Sequence, residues 1–237
     1  MMTDTDATIA APILTPSTLS LTKRGLRTIR TIAIALALLL LVGNLGIIAA
    51  SALARRSHAP VAPAAIEGIR NLAVVDEGLW RGGAPSSLGE YGDLAAAGVT
   101  TIVDLRAEEW VRVNETALAD LGLVRHTIPI RDGQVPTPAQ VEAFLAIVSS
   151  SDGIVFVHCG AGVGRSGAMV GAYLIQTGRV SPDEAMMRNL AVGTPSLEQI
   201  AWVKGLEPGD STPPGVVTTA LSRLLDGPRR IWHTLGF

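Results

Sequence analysis

The chain has 237 residues, of which 48% are hydrophobic and 17% charged, and a formal net charge of −2, which suits one catalytic domain with extensions. Residues 1–56 carry a formal charge of +4 and residues 57–237 one of −6, so the larger part lacks the basic face that nucleic-acid binding needs. The single cysteine, Cys159, excludes an internal disulfide.

The N-terminal part predicts a membrane anchor behind a disordered, basic segment. Residues 1–22 are rich in Thr, Ser, Pro and Ala without a sustained period, and four basic residues follow before position 31. Residues 31–53 then carry no charge, and this run exceeds the roughly 20 apolar residues that a bilayer core requires. The run is apolar on every face, which disfavours a core helix. We therefore predict a disordered basic segment over 1–30 and one transmembrane anchor over 31–54.

Two membrane interpretations compete for this segment. The stretch Ser51-Ala52-Leu53-Ala54 offers a cleavage site of the A-x-A type, so a cleaved signal peptide is one of them. The apolar core of a signal peptide typically spans about 7–15 residues, and the longer run favours an uncleaved anchor. More basic residues precede the span than follow it, so the positive-inside rule predicts a cytoplasmic N-terminus and an extracytoplasmic catalytic domain.

The remainder predicts an α/β domain over 69–207, preceded by a linker over 55–68 and followed by an extension over 208–237. Short β-branched runs alternate with helix-period segments, which indicates a mostly parallel central sheet flanked by helices. The predicted strands cover 72–75, 79–81, 100–105, 123–128 and 154–157, and the predicted helices cover 87–97, 110–121, 138–148, 166–177, 182–190 and 196–206. An amphipathic helix at 216–225 either packs on the domain or lies on a membrane surface.

The strongest chemical signal is a glycine-rich stretch after the last predicted strand. It consists of His158-Cys159-Gly160-Ala161-Gly162-Val163-Gly164-Arg165-Ser166-Gly167. Glycines permit a tight turn whose successive N–H groups form an anion-binding nest, and the following helix adds the positive end of its dipole. We therefore predict that the backbone from Gly160 to Arg165 binds phosphate.

Three side chains of this stretch predict nucleophilic catalysis. The loop N–H groups, the helix dipole and Arg165 all favour negative charge on Cys159, and the thiolate is the nucleophilic form. The guanidinium of Arg165 is a planar fork that can hold two phosphoryl oxygens at once. Ser166 can hydrogen-bond the sulfur and steady it as a leaving group in a second step. His158 is expected to be structural and to hydrogen-bond the loop.

This stretch resembles the signature of the cysteine-based protein tyrosine and dual-specificity phosphatases, which is His-Cys, five residues, Arg, Ser. The predicted strand, loop and helix also fall in the order found in that family. Residues 71–85 look like the opening of the compact bacterial, plant and fungal dual-specificity-like phosphatases, although Trp80 and Gly83 depart from that group's pattern. The resemblance covers roughly residues 69–206 and implies a protein tyrosine phosphatase-like fold.

A phosphatase of this kind needs a general acid that protonates the leaving group. Asp132 is the best candidate, because it lies on a loop after a strand, 27 positions before Cys159, and the family's acid lies at a matching place. Asp104 is the rival, but its position inside an apolar strand favours a structural ion pair. Glu108 and Glu109 are expected to be solvated charges at a helix start.

We therefore predict a membrane-anchored phosphatase that hydrolyses phosphotyrosine, and also phosphoserine or phosphothreonine, through a phosphocysteine intermediate. The alternatives are a phosphatase for a small-molecule or inositol phosphate and a phosphate-binding pseudophosphatase scaffold. Arg165-Ser166 together with an upstream acid disfavours a rhodanese or an arsenate reductase. The loop from Gly160 to Gly164 contains no Lys, His or Arg, which favours a phosphoprotein or a simple monoester over a multiply phosphorylated inositide. The expected partners are that substrate and the membrane, with no nucleic acid, cofactor or metal.

Overall fold

The structure is a computed structural model that describes residues 23–63, 66–108 and 114–234. The chain divides into two units between Leu41 and Val42. The first unit contains the beginning of a long helix, α1 (Lys23–Ser57), and the second contains the last turns of that helix and the α/β domain.

The second unit is built on a five-stranded sheet with the strand order β1-β2-β5-β3-β4. The strands are β1 (Ala73–Val74), β2 (Leu79–Gly83), β3 (Val99–Arg106), β4 (Val124–Ile130) and β5 (Ile154–Cys159). Neighbouring strands from β2 to β4 are parallel, and β1 is antiparallel to β2. The predicted α/β fold with a mostly parallel sheet is confirmed.

Helices cover both faces of this sheet. Phe144 and Trp202 belong to the core cluster on one face, and Leu94 and Leu118 belong to the cluster on the other. The helices of this unit are α2 (Leu88–Ala96), α3 (Glu115–Asp120), α4 (Pro138–Ser150), α5 (Gly164–Gln176), α6 (Pro182–Val192), α7 (Leu197–Lys204) and α8 (Val216–Thr234). Clusters on both faces place the sheet in the middle of the unit.

Strand β5 is central and positions the functional loop. It pairs with β2 on one side and β3 on the other, and Val155, Phe156 and Val157 are fully buried. Burial on both faces is the reason that this run is continuously apolar. Its last residue, Cys159, pairs with Gly83, so the following loop starts at the carboxyl edge of the sheet, where open α/β sheets bind their ligands.

The helix boundaries follow local capping rules. The predicted cap Thr137 is confirmed, because its hydroxyl accepts from the N–H of Gln140 and the Gln140 side chain accepts from the N–H of Thr137. The helix predicted over 110–121 is described as α3 and is capped by Asn114. The start of that prediction, 110–113, lies outside the described residues.

Helix α1 contains the predicted anchor. Its residues Arg24–Ser57 are long enough to cross a membrane, and an 18-residue window within them has a mean hydropathy of 2.7. The last turns of the helix contact α6, where Ser51 Oγ donates to the carbonyl of Leu190 at 2.7 Å and Arg55 Nε donates to that of Ala191 at 3.1 Å. Residues 55–57, which fall in the predicted linker, therefore complete a helix that packs on the domain.

Helix α8 is longer than the predicted 216–225 and packs on the start of α7. The N–H of Glu198 donates to Ser222 Oγ at 2.9 Å, and Ser222 and Asp226 are buried. Val216 and Val217, at the start of α8, are exposed. The sequence left open whether this helix packs on the domain or lies on a membrane surface. In the structure it packs on the domain through the polar face that carries Ser222.

Candidate active site

The loop between β5 and α5 packs closely on the backbone of β2. Gly162 has a φ of +77°, and a Cβ there would lie 2.3 Å from the carbonyl carbon of Gly82. Glycine is therefore required at position 162 for two reasons, the left-handed backbone conformation and the lack of space.

The carbonyl groups of this loop are held on its outside by β2 and by the segments before and after it. The donors are the N–H of Ala84 to the carbonyl of Gly160 at 3.2 Å, Asn71 Nδ2 to that of Ala161 at 2.8 Å, and Arg81 Nη2 to those of Gly162 and Val163 at 2.8 and 3.1 Å. In a planar trans peptide the N–H points away from the C=O. The N–H groups of these peptides therefore face the inside of the loop, as an anion nest requires.

Cys159 lies at the entrance of this nest, at the end of β5, and is 3% exposed. Helix α5 begins at Gly164, and the side chain of its N-cap residue, Val163, makes no capping hydrogen bond. The positive end of the α5 dipole thus lies on the loop without a side-chain cap, where it favours a bound anion or a thiolate.

Ser166 is fully buried in the first turn of α5. Its Oγ has no hydrogen-bond partner within the described part of the chain. The predicted hydrogen bond from Ser166 to the sulfur of Cys159 is therefore not made in this structure. A buried hydroxyl without a partner costs about 1–3 kcal/mol, so a partner is expected to arrive with a ligand.

The guanidinium of Arg165 is buried and held in place by Glu108. Its Nη1 donates to both carboxylate oxygens of Glu108, at 2.9 and 3.0 Å, and to the carbonyl of Ile130 at 3.1 Å. Burial by itself lowers the pKa of Arg165, but the hydrogen bonds to Glu108 and the nearby Cys159 and Asp132 raise it above the ordinary value. The fork is therefore always charged and fixed in orientation.

The expectation that Glu108 is a solvated helix-start charge is wrong, because its carboxylate pairs with Arg165. Its neighbour Glu109 lies outside the described residues. One signal in the sequence could have found Glu108. It follows β3 by two positions, and the carboxyl ends of parallel strands meet at the edge that also carries the loop after β5.

Asp132 follows β4 and lies beside the same guanidinium. Its Oδ1 is 3.3 Å from Nη2 of Arg165, and its side chain is 64% exposed. The carboxylate therefore combines access to solvent with a position next to the arginine of the loop.

Asp104, the rival acid, is fully buried in a cluster of cations. It accepts from Arg106 Nε and Nη2, at 2.9 and 2.8 Å, and from Arg125 Nη2 at 2.9 Å. Burial alone raises the pKa of Asp104, but the hydrogen bonds from Arg106, the charge of His158 and the hydrogen bond from Arg125 outweigh it and lower the pKa below the ordinary value. A carboxylate bonded in this way is a poor proton donor, in agreement with its predicted structural ion pair.

His158 links this cluster to the loop. Its Nδ1 lies 3.4 Å from the carbonyl oxygen of Cys159 and 3.9 Å from Oδ1 of Asp104. Burial lowers the pKa of His158 to about 4, although the charge of Asp104 acts in the opposite direction. The ring is therefore neutral at pH 7, as suits a structural residue.

A cavity of about 230 Å³ adjoins the loop on the side of Asp132. It is lined by Asp132, Gly133, Ala161, Val163, Gly164, Thr194, Pro195, Ser196, Gln199 and Asp226. These residues supply two carboxylates, two hydroxyls and an amide, and none of them is basic. Across the described residues, no group of three or more His, Cys, Asp and Glu side chains could hold a metal ion.

Comparison with known proteins gives matches over the domain. The family model described as "DSP-PTPase phosphatase fused to NAD+ Kinase" matches residues 59–205. The human dual specificity protein phosphatase CDC14C is 32% identical over 111 residues, which are 47% of this chain and 21% of that protein. The tyrosine-protein phosphatase CDC14 homolog of Schizosaccharomyces pombe is 33% identical over 88 residues, 35% of this chain and 16% of that protein. The matched part thus spans about a fifth or less of these relatives.

Among solved structures, the chain is similar to P. aeruginosa TpbA. The TM-score is 0.52 at 22% sequence identity, and the match covers 64% of this chain and 93% of that one. At this level of identity the likeness concerns the fold.

Proposed function

The chain belongs to the DSP-PTPase phosphatase family whose model matches residues 59–205, and from this premise we propose that it is a cysteine-dependent phosphatase. One observation carries the proposal. The carbonyls from Gly160 to Val163 are hydrogen-bonded on the outside of the loop, which leaves the N–H groups of residues 161–164 to face inward beside Cys159 and the buried guanidinium of Arg165. Such a nest at a helix N-terminus binds a phosphoryl group and favours a thiolate beside it.

In the proposed first step, the thiolate of Cys159 attacks phosphorus and forms the S–P bond while the P–O bond to the leaving group breaks. The leaving oxygen takes the proton of Asp132, whose exposed position beside Arg165 allows it to meet the leaving group. In the second step, Asp132 as carboxylate takes a proton from water, the water oxygen attacks phosphorus, and the S–P bond breaks. Inorganic phosphate leaves and the thiolate is restored.

The other residues of the site act on charge and orientation. Arg165 and the loop N–H groups stabilise the charge on the equatorial oxygens of the transferring phosphoryl group. Glu108 positions Arg165 through both carboxylate oxygens. Ser166, whose buried hydroxyl has no partner in the described chain, donates to the sulfur as charge returns to it in the second step.

We propose phosphotyrosine as the main substrate, with phosphoserine and phosphothreonine as further ones. The 230 Å³ cavity beside the loop supports this choice, because its lining has two carboxylates and no basic side chain. A second phosphate on the leaving group would meet like charge there, which disfavours a multiply phosphorylated inositide. A tyrosyl ring with its peptide backbone carries no such charge.

We further propose that the domain over 69–207 is held at a membrane by the anchor over 31–54. The apolar helix Arg24–Ser57 supports the anchor by its length and hydropathy, and the end of the anchor, where Ser51 and Ala54 are buried, packs on the domain. The excess of basic residues before the span supports a cytoplasmic N-terminus and an extracytoplasmic domain. Protease protection in sealed membrane vesicles tests the orientation, because the domain is digested from one side only.

The catalytic proposal is tested with the full-length protein in detergent and a chelator, assayed against phosphotyrosine, phosphoserine and phosphothreonine peptides and a phosphoinositide panel. Phosphotyrosine peptides are expected to give the highest kcat/KM. Cys159→Ser is expected to abolish turnover and to keep vanadate binding, since the nest remains. Arg165→Lys is expected to be severely impaired because a point charge cannot replace the fork. Arg179→Lys, at a half-exposed ion pair with Asp76, is the matched control.

Each contrary result has a definite meaning. Appreciable turnover by Cys159→Ser would exclude the phosphocysteine mechanism. A preference for inositides would support the alternative function, a phosphatase for a small-molecule or inositol phosphate. Vanadate binding without hydrolysis of any substrate would favour the pseudophosphatase alternative.

A further inference from the structure

A second cavity, of about 420 Å³, lies among the segment after α1, strand β1 and helices α5 and α6, and we call it the Arg81 cavity. Its volume falls in the range of small-molecule sites, about 300–1,000 Å³. Its walls offer polar and apolar surface in about equal parts, and its ionisable side chains are those of His58, Arg81, Glu184 and Arg188. The same cavity thus offers apolar surface and charge.

The charge in the Arg81 cavity is unbalanced. Glu184 is the one acid in the lining, and its carboxylate already accepts from His58 at 2.9 Å and from Arg188 at 2.8 Å. Arg81 is 4% exposed, and its Nη2 donates to two loop carbonyls and to Oδ1 of Asn189, none of them a carboxylate. The lining therefore carries a net positive charge even when His58 is neutral.

The guanidinium of Arg81 is a buried cation whose hydrogen bonding is incomplete. Its Nε has no hydrogen-bond partner within the described residues. Burial lowers the pKa of Arg81 to about 10, against a smaller opposite effect of Cys159. The negative charge of Cys159 offsets the cost of burying this guanidinium only in part, so a further anionic group beside it would be stabilising.

We propose that the Arg81 cavity binds a small amphiphilic carboxylate, with its anionic group at Arg81 and Arg188 and its apolar body along the valine and leucine walls. The apolar wall residues are Val61, Val74, Val75, Val170, Leu174 and Val192. Nη2 of Arg81 already donates to three acceptors, so the carboxylate would accept from the other N–H groups of Arg81 and from Arg188, bonds that are stronger than those a neutral ligand makes.

The side chain of Arg81 connects this cavity to the active-site loop. Nη2 of Arg81 donates to the carbonyls of Gly162 and Val163, which face away from the phosphate nest. A ligand that fixes Arg81 therefore fixes the loop in the conformation that binds phosphate. The cavity is then an effector site, and by linkage the carboxylate and an active-site anion strengthen each other's binding by the same factor.

The test measures binding of 4-phenylbutyrate to the full-length protein in detergent by calorimetry, with the active site filled with vanadate. Filling the active site keeps this binding result separate from the catalytic proposal. One site of millimolar or better affinity is expected, and the neutral 4-phenylbutyramide is expected to bind at least about tenfold more weakly. Equal binding of the amide, no binding of the acid, or equal uptake by protein-free micelles would overturn the proposal.

Two exposed alanines of one segment provide matched variants. Ala59 lines the cavity and Ala62 does not. Ala59→Trp is expected to fill the cavity and abolish 4-phenylbutyrate binding, whereas Ala62→Trp keeps it. If Ala59→Trp fails to fold by circular dichroism, Arg188→Gln replaces it, with at least about tenfold weaker binding expected from the lost cation. Unchanged binding in the folded variant, or a vanadate affinity that 4-phenylbutyrate does not alter, would refute the site or its coupling to the loop.

Discussion

Gly162→Ala tests whether catalysis requires the close packing of the phosphate-binding loop on β2. The added Cβ would lie 2.3 Å from the carbonyl carbon of Gly82, whereas ordinary contact begins at 3.4 Å. The obstacle is the backbone of β2, which is paired with β1 on one side and β5 on the other, so the loop has to withdraw by about 1 Å. A displacement of about 1 Å costs about 10²-fold in rate, and we expect kcat/KM for an aryl phosphate to fall at least that far. Vanadate affinity is expected to fall with it.

Gly178→Ala is the matched control for this variant. Gly178 has a similar φ of +67°, but nothing lies within 4 Å of its added Cβ. The control therefore reproduces the left-handed backbone strain, about 1–2 kcal/mol, without the collision. We expect it to lower the unfolding temperature and to leave kcat/KM unchanged. Wild-type kcat/KM in Gly162→Ala, or an equal loss in both variants, would refute the argument from loop placement.

Three further predictions concern other side chains of the site. Asp132→Asn is expected to slow cleavage of alkyl and tyrosyl phosphates by about 10²–10⁴-fold but to spare an activated aryl phosphate. An equal loss of rate on both kinds of substrate would show that another residue is the general acid. Glu108→Gln removes a charge-assisted pair of about 1.5–3 kcal/mol and is expected to lower kcat/KM roughly tenfold or more. Glu115→Gln, at an exposed ion pair, is the control. Equal losses of kcat/KM in the two variants would contradict a positioning role for Glu108. Burial lowers the pKa of His158 from 6.5 to about 4, so the unfolded chain takes up the proton first and stability falls as the pH drops through this window, by about 1.4 kcal/mol per pH unit. His158→Gln should flatten that part of a plot of unfolding temperature against pH, and an unchanged slope would show that His158 is not the group responsible.

Local patterns in the sequence predicted most of the fold, because strands and helices here follow short-range rules. The continuous apolar run of β5 and the Thr137-Pro138 start of α4 each carry their own signal. The glycine-rich loop could also be predicted, because the spacing of its glycines in the sequence indicates a tightly turned backbone that has no room for side chains. The register shift of β3 against β4 between Asp104 and Arg106 has no such local signal, because it depends on the partner strand.

The interactions that lay beyond the sequence join positions far apart in the chain. Glu108 and Arg165 are separated by 57 positions, and no periodicity relates them. Arg81 lies even farther from the carbonyls that it holds, at a separation of 81 positions from Gly162. In α1, Ile47 and Ala50 fit a membrane span and a packed helix equally well, because both environments select the same side chains.

The contact of α1 with α6 decides where this protein can be cut without damage. A cut after Ala54 would remove Ser51 and Ala54, which are buried, together with the packing of Ile47 and Ala50 on the core. The surface uncovered on the domain would be apolar, and an exposed apolar patch of this kind promotes aggregation. A fragment for crystallisation or kinetics should therefore begin at Val42, the first residue of the second unit, and be kept in detergent because Leu45 and Ile48 stay exposed on it. A fragment that begins after the helix should precipitate or lose thermal stability.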